Sequence, residues 1–407
     1  MSDLSTATAA VATDQPMRPR AALPALCLTQ ITSWGIVYYA FPVLNPQITT
    51  ATGWSAATTM AAFSAALLVS ALAGIRIGRI LDARGPRTVM TTGSVIGTAS
   101  LVIIATAPNL ALFTVGWLLA GLAMASTFYQ PAFAALTRWW APNHIRALTT
   151  VTLAGGLAST VFAPLTAQLA GHFSWRHTYL ILAAVLAAVT IPAHAFALRG
   201  PWPPAPRPAS NSVPATPGAI TRSRPFLLLA TALTLSAFAM YAVVVALVPL
   251  LLDRGYTATQ AAWALGLGGA GQTLGRTLYA ALARRSSPAL RAAVLMGLGG
   301  VTTAAFALVP GPYALLAVLA VVAGTVRGNL TLLQATAITD RWGANRYGRL
   351  SGILAAPMTT ASALAPFAGT ALTVPLGGYP QLFVVLALVS AAAALIAWHT
   401  TPTGRTA

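Results

Sequence analysis

The chain alternates between long runs that carry almost no charge and short stretches that carry nearly all of it, and this alternation limits its possible folds more than any single residue does. Apolar runs lie near residues 22–46, 54–76, 88–107, 109–136, 147–170 and 177–198, and a second six near 225–251, 257–282, 289–309, 312–338, 348–372 and 379–400. About 20 apolar residues in a helix cross a bilayer core. Hydrocarbon offers no partner to a free amide, so each run must satisfy its own backbone and is read as a helix. Composition agrees: 57% of the residues are hydrophobic and 7% charged, against roughly a quarter charged in a soluble domain. An all-α integral membrane protein with twelve transmembrane helices follows.

The net charge of +18 comes entirely from arginine, since the sequence has neither lysine nor glutamate; its five acids are Asp3, Asp14, Asp82, Asp253 and Asp340. A nucleic-acid binder gathers such charge on one face or tail. Here the arginines recur in clusters at Arg18/Arg20, Arg76 to Arg87, Arg138/Arg146, Arg199 to Arg224, Arg284 to Arg291, Arg341 to Arg349 and Arg405, in every second loop. That distribution predicts cytoplasmic termini and a cytoplasmic mid-chain segment, with the lipid bilayer rather than nucleic acid as partner. The arginine- and alanine-rich, lysine-free composition fits a GC-rich bacterial genome, and hence a multi-pass protein of the plasma membrane.

Residues 1–21 read as a disordered cytoplasmic tail rich in Ala, Thr and Ser, 22–198 as a first six-helix bundle, and 225–400 as a second. Between them, 199–224 carries seven prolines with Ser, Thr and Arg, a composition that favours an extended cytoplasmic linker. Residues 401–407 form a second cytoplasmic tail. An internal repeat supports the division: Arg138-Trp139 and Arg146 fall on Arg341-Trp342 and Arg349 at an offset of 203. At an offset of 202, Gly53-Trp54-Ser55-Ala56 matches Gly255-Tyr256-Thr257-Ala258, and Ala163-Pro164 matches Ala365-Pro366. Two pseudo-symmetric bundles are expected, as in transporters with a midplane site.

One stretch between the second and third runs, Gly78-Arg79-Ile80-Leu81-Asp82-Ala83-Arg84-Gly85-Pro86-Arg87, reads Gly-x-x-x-Asp-x-x-Gly-x-Arg. It resembles the loop between helices 2 and 3 of the major facilitator superfamily. The resemblance implies a conformational latch of Gly78, Asp82, Arg84, Gly85 and Arg87 that ties helices together in one transport state. At an offset of 202 Asp82 falls on Arg284, so the second half is expected to lack the acid and the inner gate to rely on the first loop.

Further stretches resemble the monocarboxylate and oxalate:formate exchanger branches: Tyr38-Tyr39-Ala40-Phe41, Gly53-Trp54-Ser55, Arg138-Trp139-Trp140, Trp175-Arg176, and Arg276 within Gln272-Thr273-Leu274-Gly275-Arg276. The resemblance implies that Arg276, in helix 8, binds a substrate carboxylate. Gln272 stands where the monocarboxylate carriers have an aspartate, which removes the basis for carboxylate-borne proton coupling. Because this fold lines its cavity with helices 1, 4, 7 and 10, the resemblance also implicates Tyr241 and the Phe128-Tyr129-Gln130 stretch.

Charge inside the runs points the same way. Arg276 and Arg327 are intramembrane, and no acid lies in any run's centre. A central arginine costs at least about 2.5 kcal/mol, and an anionic ligand would offset that cost through the guanidinium fork. Arg276 lies eight residues before Arg284, about 12 Å along a helix, within reach of the interface by snorkelling. Arg327 lies 14 residues before Arg341, about 21 Å away, too far for that. Asn329 can donate to a substrate or bind a neighbouring helix, and Gln30, Trp34, Tyr38, Phe41 and Asn45 share one face of helix 1. Gly266 to Gly271 has the spacing of a dinucleotide fingerprint but sits inside an apolar run, where small residues serve close helix packing.

Cys27 is the single cysteine and the five histidines lack metal-ligand spacing, so no disulfide, metal or cofactor is expected. No nucleophile, base and orienting group assemble, so an enzyme is not expected. The reading is a monomeric secondary active or facilitative transporter that moves a small, monocarboxylate-like organic anion by alternating access. The alternative is an efflux pump for a drug or secreted metabolite. If the latch reading holds, Asp82→Asn lowers transport with little change in membrane insertion, as measured by uptake beside the amount of protein in the membrane fraction.

Overall fold

The computed structural model describes residues 19–140, 144–202, 220–342 and 347–400. The two tails, most of the proline-rich linker and Arg346 lie outside the described residues, as does the side chain of Arg349. The described chain is helical and contains twelve spans. α1 runs Ala22–Trp34, through a π turn at Gly35–Tyr39, into Ala40–Thr52. α2 is Ala56–Arg84, α3 Pro86–Thr106, α4 Leu110–Thr127 and then Tyr129–Trp139, and α5 His144–Gly156 and then Ala158–His172. α6 is Trp175–Pro192 with a π turn at Ala193–Ala197. The second set is α7 Arg224–Asp253, α8 Ala258–Arg285, α9 Pro288–Leu308, α10 Tyr313–Thr336, α11 Tyr347–Leu376 and α12 Tyr379–Trp398. Among the described residues, nine helices are long and apolar enough to cross a membrane by those criteria alone. The other three are interrupted or diluted: α1 by its π turn and prolines, α8 by glycines, Gln272 and Arg276, and α11 by Pro357, Pro366 and Pro375.

The stretch expected to be a loop between helices 2 and 3 is almost entirely helical. α2 continues through Arg84 and α3 begins at Pro86, leaving Gly85 as the connection. Gly85 has φ +78°, a conformation that L side chains rarely adopt, and Pro86 is preset for the first helical position. Helix propensity thus carries the charged residues as a rigid extension of α2 instead of a loose turn.

The sequence repeat acquires a physical meaning at the opposite face. Gly53 (φ +73°) ends α1 and Ser55 caps α2 by accepting from the Thr58 N–H. In the second half Gly255 (φ +83°) follows α7, and Thr257 caps α8 with Gln260 completing a capping box. Each is a left-handed exit followed by a hydroxyl cap. The next repeated pair, Pro164 and Pro366, lies inside α5 and α11.

Those two helices carry the contact between the bundles, α5 against α8 and α11 against α2. The Thr160 hydroxyl donates to the Gly266 carbonyl (2.8 Å), and the Phe367 N–H donates to the Ser64 hydroxyl (3.1 Å). Both contacts lie in the half of the molecule away from the arginine-rich loops. Within the first bundle, Phe41, Phe63, Phe113 and Trp117 form an aromatic cluster that ties α1, α2 and α4. The second bundle instead brings backbones together: a Cβ at Gly324 of α10 would overlap the Gly268 carbonyl of α8, and one at Gly271 would overlap that of Val321. Of the glycines with fingerprint spacing, Gly268 and Gly271 therefore serve α8–α10 packing, and Gly266 and Gly269 the contact of α8 with α5.

Gly324→Ala is expected to push α8 from α10 and destabilise the protein by roughly 1–3 kcal/mol, read as a lower unfolding temperature in detergent. Gly297→Ala is the control, because its nearest neighbour is an ordinary contact at 3.8 Å.

Candidate functional site: an arginine-lined cavity between the bundles

A cavity of about 120 Å³ lies between the bundles and is lined by Trp34 and Tyr38 of α1, Tyr129 of α4, Tyr241 of α7, Gln272 and Arg276 of α8, and Arg327 of α10, among others. Trp34, Tyr38, Gln272, Arg276, Arg327 and Tyr241 are therefore brought together from four helices. Gln130 lines an adjoining cavity of about 270 Å³, which shares Trp34, Tyr38, Tyr129 and Tyr241 with the first. Asn329 is placed elsewhere. Its amide donates to the Thr325 carbonyl of its own helix (2.9 Å) and it lines neither cavity; two positions past Arg327, its side chain leaves the helix on another face.

Backbone irregularities open this site. Pro131 lacks an N–H and its ring displaces the carbonyl four residues earlier, so α4 breaks at Phe128. The Thr127 carbonyl, freed by the break, accepts from the Gln30 side chain (2.7 Å). In α1 the Ala40 N–H bonds the Gly35 carbonyl five residues back, a π turn that reorients Tyr38 and Tyr39. Phe128 stacks on Trp34 with ring centroids 4.0 Å apart.

The two arginines differ in what holds them. Arg276, 7% exposed, crosses the bundle seam and donates Nη1 to the Thr152 carbonyl of α5. The Tyr129 hydroxyl interacts with the same guanidinium. These approaches need the paired glycines of α5: a Cβ at Gly156 would stand 3.1 Å from Arg276 Nη1, and one at Gly155 would overlap the Tyr129 hydroxyl. Arg276 does not snorkel to the interface. Arg327 has no protein partner at Nε or Nη2, both buried, and Arg276 Nε, Trp34 Nε1 and the Tyr38 hydroxyl are likewise unpartnered. All five atoms belong to residues lining the smaller cavity, and all five can donate.

At the arginine-rich face the Asp82 carboxylate pairs with Arg138, at the end of α4. The Asp82 carbonyl accepts from Trp202 Nε1 (3.0 Å), and the Arg138 guanidinium lies 4.4 Å over the Trp202 ring. Trp139 Nε1 donates to the Pro201 carbonyl (3.1 Å), so the start of the linker is clamped on the α2–α4 corner. Arg87 donates to the Ala195 carbonyl of α6 (2.9 Å), Arg84 is exposed, and Gly78 has open space where a Cβ would go. All the Asp82, Gly85 and Arg87 contacts here stay within the first bundle and its linker. The repeat mate of Asp82 is Arg284, so the acid is absent at that position, but the second half holds an ion pair of its own between Asp340 and Arg291 at the start of α9. Arg341, the repeat mate of Arg138, donates to the Pro288 carbonyl and to Thr400. Burial lowers Arg341 to about 10, so it stays charged at neutral pH.

Twelve spans in two related bundles around a polar cavity make a membrane transporter. The chain belongs to the Major Facilitator Superfamily, whose profile matches residues 26–314. It is 28% identical over 309 residues to monocarboxylate transporter 13 of Rattus norvegicus, covering 70% of this chain and 69% of that protein. Against monocarboxylate transporter 13 of Bos taurus it is 29% identical over 205 residues, 50% of this chain and about half (47%) of the relative's length. Among solved structures, a mutant of the nucleoside transporter NupG aligns with TM-score 0.74 at 13% identity, covering 94% of this chain and 99% of that one. A bacterial homolog of the human lysosomal transporter Spinster, inward-facing and unoccupied, aligns with TM-score 0.74 at 15% identity, covering 93% and 96%. At those identities the structural likeness bears on the fold alone.

The Asp82 side chain is 59% exposed and that of Arg138 10%, so solvent screens the pair from the acid's side. Asp82→Asn is therefore expected to leave insertion and unfolding temperature nearly unchanged while lowering transport, and Arg138→Gln, which also gives up the Trp202 ring, to lower transport as well. The exchanged pair Asp82→Arg with Arg138→Asp is expected to recover transport, because it restores opposite charges at the same two positions. Uptake compared with thermal unfolding in the same preparations checks both.

Proposed function

We propose that the chain moves a small, monocarboxylate-like organic anion by alternating access, with Arg276 and Arg327 as its anion contacts and Gln272, Tyr38, Trp34 and Tyr241 completing the site. The observation that carries this reading is the set of five buried, unpartnered donor atoms, on two guanidiniums, an indole and a phenol, whose residues all line one cavity. A buried donor left unpaired costs about 1–3 kcal/mol, and a carboxylate is the small group that accepts from several at once. The names of the mammalian relatives agree with this class of substrate.

All five acids of the chain lie outside the apolar runs' centres, and among the described residues no carboxylate lines the site to carry a proton. Exchange, uniport, or entry of a proton on the substrate's own carboxylate fits this chemistry. The larger cavity lies on the arginine-rich side of the Ser64–Phe367 contact, between Leu67, Ser70 and Ala71 of α2 and Thr359, Ser362 and Ala363 of α11. With that face cytoplasmic, as the positive-inside rule directs, the site opens inward. We place the protein in the plasma membrane as a monomer, with the Asp82 corner acting as a latch.

The test is uptake and counterflow of labelled monocarboxylates and dicarboxylates in proteoliposomes. Arg327→Gln and Arg276→Gln each remove a charged hydrogen-bonding partner worth about 1.5–3 kcal/mol, a loss of roughly tenfold to a hundredfold in affinity. Unchanged affinity for an anionic substrate in both variants rejects the assignment.

A further inference from the structure

The cationic cavity occupies less space than its neighbour. The adjoining lobe, about 270 Å³ against about 120 Å³, meets it along Trp34, Tyr38, Tyr129 and Tyr241. Beyond that aromatic neck the lobe is walled by Leu67, Met124 and Phe128, with Ala71 of α2 and Ala363 of α11. Its polar members are Ser70, Gln130, Thr359 and Ser362, and none of its lining residues is charged. A carboxylate of two or three carbons fills the small lobe and leaves the large one to water. An anion with a ring or a branched apolar body spans both.

We propose that the transported anion is an amphipathic monoanion, a carboxylate on an aromatic or similarly bulky apolar body, with the carboxylate at Arg276 and Arg327 and the body beyond the neck against Phe128, Leu67 and Met124. This rests on the anion reading above and narrows it. Charge placement excludes a neighbouring class. A second carboxylate would lie in a lobe without a cation. Dicarboxylates are therefore poor ligands. Rings and flat apolar groups, by contrast, find aromatic faces at the neck and lose water on entering.

The experiment titrates the purified full chain with acetate, phenylacetate, succinate and 2-phenylethanol, measuring affinity by calorimetry and by inhibition of labelled phenylacetate counterflow. Phenylacetate is expected to bind at least roughly tenfold more tightly than acetate, as burial of a phenyl group requires. Ala71→Phe, which fills only the larger lobe, is expected to abolish that advantage while acetate affinity holds. Ala363→Leu is the second filling variant, and retained acetate binding distinguishes a blocked lobe from a misfolded chain. If phenylacetate and acetate bind equally while Arg327→Gln weakens both, the amphipathic reading falls and the anion reading stands. Succinate binding as tightly as phenylacetate overturns the monoanion assignment. If 2-phenylethanol matches phenylacetate in the wild type and in Arg327→Gln, both readings fall.

Discussion

A guanidinium held in hydrocarbon is tolerable only where its N–H groups are accepted, and this molecule treats its arginines in two ways. At the face opposite the arginine-rich loops, Arg176 donates to the Ala105 and Ala107 carbonyls at the end of α3. In the second bundle Arg254 does the same for α9, reaching the carbonyls of Phe306, Ala307 and Val309. Each supplies donors to the orphan carbonyls and negative dipole end of a helix C-terminus. Arg276 and Arg327 lie between the bundles: Arg276 spends only Nη1, on Thr152 near the end of the His144–Gly156 segment, and both keep other donors unspent. The contrast is the physical basis for reading one pair as structural and the other as a ligand site.

The cavity exists because several helices depart from ideal geometry around it. The α4 break at Phe128, the π turn of α1 and the glycines Gly155 and Gly156 of α5 lie on three different helices, yet all serve the same volume. The cost of each departure is limited locally. Gln30 satisfies the carbonyl that Pro131 displaces, and Thr152 accepts from the arginine that the glycines admit. Irregular backbone at membrane depth is stable only where protein or a water-filled cavity covers it, and each departure is covered in this way.

Most of the architecture was legible because a bilayer imposes one length and one polarity on every span. The twelve apolar runs became twelve helical spans, and the repeated Gly-aromatic-Ser/Thr-Ala stretches became matching exits and caps. Arg276 and Arg327 stood out because a charge inside an apolar run is rare. Two features were not legible, each because it depends on a partner distant in sequence. Asp82 finds Arg138 after 56 residues and Trp202 after 120. Asp340 reaches Arg291, where an alignment of the two halves points to Arg284. Tyr129 was implicated by the resemblance and lines the cavity, through a break in α4 beside Pro131. Asn329, read as a donor either to a substrate or to a neighbouring helix, donates to the Thr325 carbonyl of its own helix.

The seam between the bundles is built from groups that separate at low cost. Along α5 and α8 it consists of Gly156, Ser159, Thr160, Pro164, Gly266, Gly269 and Thr273, with one hydroxyl-to-carbonyl bond at Thr160 and another, longer one at Thr273. The large aromatic cluster of Phe41, Phe63, Phe113 and Trp117 is kept inside one bundle, as is the glycine interlock of α8 with α10. Both charge pairs at the arginine-rich face likewise stay within a bundle. Rigid halves joined by a seam of small residues are the mechanical condition for rocking about a fixed midplane site. Arg276 is the exception, since it reaches from α8 to the Thr152 carbonyl of α5 and also lines the cavity. Under the anion reading proposed above, a ligand would meet Arg276 at Nε, the donor left free, while Nη1 stays on Thr152, so one side chain would serve both the site and the seam.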